Sequence, residues 1–121
     1  MGHPKRNFIH IDDVSRATYA VMKKGKSGEI YHICGNKFIS IKSLVKLICN
    51  KMNYNFGSLV TYSTNKPGRD KSYYLSNKKV KLNFDWSTKI SIDKGIERSI
   101  KWIKNNLRSF SKLDQNYHHK K

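Results

Sequence analysis

Apolar residues recur along this chain with two different periods, and the switches between them mark out its elements. Arg6-Asn7-Phe8-Ile9-His10-Ile11 alternates polar and apolar, then meets the acidic pair Asp12-Asp13, which predicts a short strand over 6–11 running into a helix. Val14, Ala17 and Val21 put one apolar face on that helix, with Asp12 or Asp13 as its N-cap and Gly25 and Gly28 at its end. A second alternating stretch, 29–34, stops at the turn pair Gly35-Asn36. Phe38-Ile39 is a very short extended piece, after which Ser40 caps a helix carrying Ile41, Leu44, Val45, Leu47, Ile48 and Met52. A further strand is expected over 58–63, then a polar turn over 64–70 built on Pro67-Gly68. Ser76 can cap a short helix through Leu82, and Phe84-Asp85-Trp86 follows as an aromatic loop. The last helix has the clearest period: Ser91 caps it, Asp93 lies in its first turn, and Ile92, Ile96, Ile100, Ile103 and Leu107 form one stripe. The pattern describes an α/β domain over 1–108 with about four helices and three to four short strands. A basic tail over 109–121 is expected to be disordered.

Composition narrows what such a domain can do. The chain has 121 residues, room for one small domain. Lys and Arg number 25 against 8 Asp and Glu, a formal charge of +17, yet aromatics make up 12%, too many for a disordered polycation. No apolar run approaches the roughly 18 to 20 residues of a membrane span, and no charged-then-apolar leader opens the chain, so a cytoplasmic protein without a membrane partner is expected. Cys34 and Cys49 lack Cys-x-x-Cys spacing and the five histidines lack His-Glu-x-x-His spacing, which gives no basis for a disulfide scaffold or a metal site. Neither a Gly-x-Ser-x-Gly turn nor a P-loop is present, so a hydrolase has no support.

The charge calls for an anionic partner without saying which. Lysine outnumbers arginine 20 to 5, and Asn and Ile are also abundant at 11 and 12 residues, a composition that a coding bias toward A and T produces. Lysine is a hydrated point charge rather than the planar fork that reads guanine or phosphate bidentately. A small basic protein binding nucleic acid or another polyanion therefore ranks second among the readings.

Four motifs in order carry a more specific signal. They are Arg6-Asn7-Phe8-Ile9-His10-Ile11-Asp12-Asp13-Val14, Gly28-Glu29-Ile30-Tyr31-His32-Ile33-Cys34-Gly35, Lys66-Pro67-Gly68-Arg69-Asp70-Lys71-Ser72-Tyr73, and the ending that runs from Trp86 to Ile96. Together they resemble the C-terminal, substrate-binding part of the extended short-chain dehydrogenase/reductase family, among the NAD-dependent nucleotide-sugar epimerases and dehydratases (dTDP-glucose 4,6-dehydratase-like). The resemblance runs from about Pro4 to Leu107.

The resemblance implies a nucleotide sugar as ligand. It places Arg6 and Lys66 at the diphosphate and Arg69 at the nucleoside end, with Lys66 standing where an arginine is more usual. Charge-assisted bonds from several donors are what a diphosphate requires. Asp12 and Asp13 are assigned to helix capping, and Asn36 to the turn. The family's cofactor is NAD, held on a glycine-rich turn between a strand and a helix. No such turn occurs here, so no cofactor is expected in this chain and the Rossmann half is taken to be absent. The family's catalytic Tyr-x-x-x-Lys string occurs at Tyr19…Lys23 and Tyr74…Lys78. Neither lies where the family keeps that pair, and in so lysine-rich a chain both are expected by chance. The expectation is a nucleotide-sugar-binding fragment, inactive alone, with an apolar patch exposed where the missing half belongs. A subunit completing a separate NAD-binding chain, or a homo-oligomer, is the remaining alternative.

Overall fold

Four of the six helices among the described residues open on a side chain that accepts one of their first N–H groups. The structure, a computed structural model, describes residues 4–62 and 72–113. In order these are β1 (Lys5–Asn7), α1 (Ile11–Lys24), β2 (Phe38–Ser40), α2 (Ile41–Lys51), α3 (Phe56–Leu59), α4 (Lys78–Phe84), α5 (Ile92–Asn105) and α6 (Leu107–Phe110). Ser40 and Ser91 cap α2 and α5 as the sequence predicts, each accepting a backbone N–H through its hydroxyl, from Ser43 and Lys94 respectively. The turn over 64–70 lies outside the described residues.

Several expectations need correction. Two strands are present among the described residues rather than three or four, and six helical segments rather than four. β1 covers only Lys5–Asn7, pairing antiparallel with β2 so that Arg6 faces Ile39. The N-cap of α1 is His10, whose Nδ1 accepts the Asp12 N–H at 3.2 Å. Neither aspartate is available as a cap, because Asp12 pairs with Arg98 at 3.2 Å and Asp13 is engaged by a loop 76 residues away. The 29–34 stretch forms no ladder. Its alternation is nonetheless that of a strand: Tyr31 and Ile33 pack against the core while Ile30 stays 72% exposed. Of the strand expected over 58–63, Ser58 and Leu59 belong instead to α3, where Asn55 Oδ1 accepts the Gly57 N–H at 2.7 Å and caps a helical turn. Residues 60–62 join no ladder, and 63 lies outside the described residues. The Ser76 helix begins later, at Lys78, and ends at Asp85 in the left-handed region with φ 49°.

The core is thin. Ala17, Val80 and Trp86 form its centre, closed by Ile9, Tyr31, Ile33 and Phe84, with the Tyr31 and Phe84 rings 5.1 Å apart. Among the described apolar residues only Cys34 and Cys49 are buried besides these three. A second apolar layer lies where the isoleucine stripe of α5 meets α2, around a groove of about 400 Å³ lined by Leu44, Ile48, Ile96 and Ile100. Ile11, Met22, Ile30, Leu82 and Leu107 remain more than half exposed, so much apolar surface is unsheltered in this chain by itself. No helix among the described residues is long and apolar enough to cross a membrane.

Both cysteines are free. Burial pushes the Cys34 thiol up against the opposing pull of Lys81 and the Asn77 N–H, and its Sγ donates to the Leu75 carbonyl at 3.2 Å. Only the thiolate reacts quickly. Cys34 is therefore expected to label with a thiol reagent in the native protein at least about tenfold slower than in urea; equal rates in a time course would contradict its burial.

Candidate functional site

β1 and the stretch that follows residue 71 build the part of the site that the structure describes. Ser72 bridges Lys5 in the parallel sense, and the Tyr73 N–H donates to the Lys5 carbonyl at 3.2 Å. The same carbonyl accepts Arg6 Nη1 at 2.7 Å. The Arg6 guanidinium lies 5.9 Å from the centroid of the Tyr73 ring, and that residue is 51% exposed. Alternation along β1 sends the Lys5 side chain to the other face, 5.9 Å from the Phe38 ring, which meets Tyr74 edge-on at 5.3 Å. Arg6 is thus placed by backbone pairing on two sides. Lys66 and Arg69, the other two candidate cations, lie outside the described residues. Their chain joins the structure at Ser72, beside β1.

The opposite end of β1 is tied to the turn at Gly35. Asn7 Nδ2 donates to the Gly35 carbonyl at 3.1 Å, and Asn7 Oδ1 accepts the Leu75 N–H at 3.4 Å. Asn36 proves more than a turn residue. Its carbonyl oxygen accepts Lys81 Nζ at 3.0 Å and Asn77 Nδ2 at 3.3 Å, and its amide donates to Thr88 Oγ1 at 2.6 Å. Asn77 also donates to the Cys34 carbonyl at 2.8 Å, a bond a ladder partner would otherwise make. These partners lie 41 to 52 residues away in sequence, so no local pattern could reveal them. Two recesses adjoin Phe8: the apolar groove between α2 and α5, and a more polar one of about 280 Å³ that includes Lys37, Lys89 and Ser91. Arg6 lines neither.

Asp13 holds the 86–90 loop, whose Lys89 and Ile90 line the more polar recess. Its carboxylate accepts N–H bonds from Lys89 at 3.2 Å and Ile90 at 3.0 Å and pairs with Arg16, while its own carbonyl accepts Trp86 Nε1 at 3.1 Å. Burial alone pushes its pKa up, but the Ile90 and Lys89 N–H groups and the Arg16 charge together outweigh that and hold it below the ordinary aspartate value. The other ion pairs are exposed or partly so: Lys51 with Glu97 at 2.7 Å, and Lys79 with Glu29. Each lysine lowers the pKa of its glutamate partner, through its hydrogen bond first and its charge second.

The glycine-rich turn of a dinucleotide-binding fold meets the dinucleotide's pyrophosphate with free N–H groups at a helix N-terminus. At α1, α2, α3 and α5 one of those groups is already taken by the side chain of His10, Ser40, Asn55 or Ser91. None of these helices opens on a glycine-rich turn, so a dinucleotide finds no matching cradle among the described residues. No group of three or more His, Cys, Asp or Glu suited to a metal occurs among them either. Tyr19 and Lys23 are neighbours one turn apart on α1, with the ammonium 5.6 Å from a ring that is 59% exposed.

No family model matches the chain. Individual relatives do. It is 30% identical over 115 residues to a dTDP-glucose 4,6-dehydratase of Escherichia coli, covering 87% of this chain and 32% of that protein. A dTDP-D-glucose 4,6-dehydratase of Homo sapiens is 30% identical over 119 residues, covering 94% and 34%. Among solved structures, a dTDP-glucose 4,6-dehydratase of Streptomyces venezuelae with NAD and TDP bound superposes with a TM-score of 0.82 at 27% identity, over 90% of this chain and 33% of that one. The chain spans about a third of the length of the relatives it matches.

Proposed function

From a chain built as the C-terminal part of an extended short-chain dehydrogenase/reductase, dTDP-glucose 4,6-dehydratase-like in sequence and fold, we propose that it grips the diphosphate of a nucleotide sugar. The observation that carries this reading is Arg6. Arg6, which the resemblance places at the diphosphate, lies on a strand that pairs with β2 through Ile39 on one side. On the other side its neighbour Lys5 pairs with Ser72, the residue at which the chain that follows Lys66 and Arg69 re-enters the described structure. Arg6 and Lys66 brought to one diphosphate, with Arg69 at the nucleoside end, would supply the several charge-assisted bonds the ligand needs.

No helix among the described residues opens on a glycine-rich turn, and no hydride step is assigned to this chain. Binding without turnover is the expected behaviour of the chain alone. Thermal-shift titration with dTDP-, UDP-, GDP- and CDP-sugars tests this. One of them should raise the melting temperature in a saturable way, and Arg6→Ala should weaken that ligand about tenfold, as loss of one charge-assisted contact implies. No response to any of the four overturns the reading. Micromolar DNA or RNA binding that survives physiological salt would favour a polyanion-binding protein instead.

A second reading shares the fold and rests on the 29–34 stretch. Tyr31 and Ile33 face the core, Ile30 faces out, and Lys79 fastens the segment through Glu29, the Ile30 carbonyl at 2.9 Å and the Tyr31 ring at 4.7 Å. A strand held extended without a ladder is a template for another. In this reading the chain docks on an NAD-binding partner and the pair is the enzyme. Co-expression with such a partner, followed by a dehydratase assay, decides it.

A further inference from the structure

We propose that residues 101–113, at the end of α5 and through α6, rest on the surface of anionic lipid membranes. No helix among the described residues can cross a bilayer, but a segment that lies on one needs a different pattern, exposed aromatic and aliphatic side chains beside cations. This stretch has it. Trp102, Leu107 and Leu113 are well over half exposed, and Ile103 and Phe110 are exposed as well. Asn106 ends α5: its backbone N–H donates to the Trp102 and Ile103 carbonyls at 3.1 Å, and its Nδ2 donates to the Trp102 carbonyl at 2.8 Å. The chain folds back there, so that the Phe110 ring meets Trp102 edge-on at 5.4 Å. Leu107, Phe110 and Leu113 follow at steps of three and Arg108 and Lys112 at a step of four, which groups the apolar set and the basic pair separately along the turn.

The charges decide what covers this surface. Lys101, Lys104, Arg108 and Lys112 are all exposed, and none makes an ion pair with another described residue. No acid lies between Arg98 and Leu113; Glu97 before them is held by Lys51 at 2.7 Å, and Asp114 is the single acid that follows. A second copy of this chain would bring the same four cations against these four. Nucleic acid would match the cations and stack on Trp102, but it offers nothing to Leu107 and Leu113. A bilayer with anionic headgroups takes both sets: the headgroups meet the cations, and the indole and aliphatic side chains enter the boundary between headgroups and acyl chains.

The test is co-sedimentation of the full chain with vesicles of equimolar phosphatidylcholine and phosphatidylserine, against vesicles of phosphatidylcholine alone. Partitioning onto the mixed vesicles should be at least about tenfold stronger. Each cation at an anionic surface contributes about a fivefold factor, so Lys104→Gln, Arg108→Gln and Lys112→Gln together should lower it about a hundredfold. Lys23→Gln, Lys24→Gln and Lys26→Gln remove as much charge from another exposed stretch and should lower it less than about threefold. Leu107→Ser with Leu113→Ser should cost about tenfold. Trp86 is buried and Trp102 exposed, so vesicles should blue-shift the emission of the chain and Trp102→Phe should abolish that shift. The substituted side chains are exposed, and circular dichroism with melting temperatures checks that each variant folds. Equal losses from the two basic sets, or no shift in Trp102 emission, would reduce the effect to the general attraction of a +17 surface and overturn the proposal. So would a change at Lys104, Arg108 and Lys112 that weakens binding to a single-stranded oligonucleotide but not to vesicles, or lipid-free self-association that the leucine variant abolishes. The proposal stands or falls whether or not nucleotide sugars bind.

Discussion

Asp13→Ala should destabilise the domain by about 3 to 5 kcal/mol, the loss expected when a buried carboxylate that accepts several hydrogen bonds is removed. A domain of this size has about 5 to 15 kcal/mol in all, so the variant should sit near the edge of folding. The Asp13 side chain is fully buried and accepts the Lys89 and Ile90 N–H groups beside the Arg16 guanidinium. Deleting it leaves those donors without an acceptor in a place water does not reach, and each orphaned donor costs about 1 to 3 kcal/mol. Asp13→Asn keeps the shape and one acceptor, so it should lose roughly half as much. The pH dependence separates the two causes. The folded pKa is depressed, so the carboxylate's stabilisation is complete above the ordinary aspartate value and drains away as pH falls below it toward the folded value. In urea titrations, the gap between wild type and Asp13→Asn should be widest at neutral pH and narrow below about pH 4. A gap that stays constant down to pH 3, or an Asp13→Ala loss under about 1 kcal/mol, would show that the loop at 86–90 does not depend on this carboxylate.

Asp13 also marks the limit of what the sequence discloses. An Asp-Asp pair at a strand-to-helix junction is a sound capping signal, and α1 does begin there. The partners that claim Asp13 are 76 and 77 residues away, so the local pattern names the helix and misassigns the residue. Where the decisive contact is local, the reading holds: Ser40 and Ser91 bond N–H groups three residues on, and the Ile92 to Ile103 stripe needs only the helical period. Residues 58 and 59 went the other way for a similarly local reason. Leu59, Val60 and Tyr62 favour a strand, but the Asn55 side-chain Oδ1 supplies a cap for α3 and no neighbouring strand competes among the described residues. For 29–34 the period is right and the ladder missing, since a strand is a relation between two segments and the sequence displays one. The site follows the same division. Arg6 is singled out by the motif around it, whereas Tyr73 and Asn36 make their contacts with residues 41 to 67 positions distant.

Gly35 ties the fold to the site, and substituting it should damage both. A Cβ built on Gly35 would sit 1.9 Å from the Phe8 carbonyl oxygen and 2.9 Å from its carbon, backbone atoms that cannot swing aside as a side chain does. Gly35→Ala must therefore push the 29–36 segment and the chain after β1 apart. That parting strains the Asn7 bond to the Gly35 carbonyl and the Asn36 and Asn77 bonds that close the same turn. Overpacking a tight contact costs about 1 to 3 kcal/mol and occasionally more; with the polar bonds lost as well, about 3 kcal/mol is expected. On a domain of about 100 residues that corresponds to a fall of roughly 12 to 20 °C in melting temperature. The comparison is Gly57→Ala, where the new Cβ would meet only the Asn55 side-chain oxygen at 3.2 Å, and a change of no more than a few degrees is expected. Because Asn7 adjoins Arg6 on β1, Gly35→Ala should also weaken the proposed nucleotide-sugar binding below the transition, by no more than the roughly tenfold expected of Arg6→Ala. Equal melting temperatures for the two glycine variants would mean that the chain relieves the Phe8 contact without cost. β1 would then not be seated against the Gly35 turn as the structure has it.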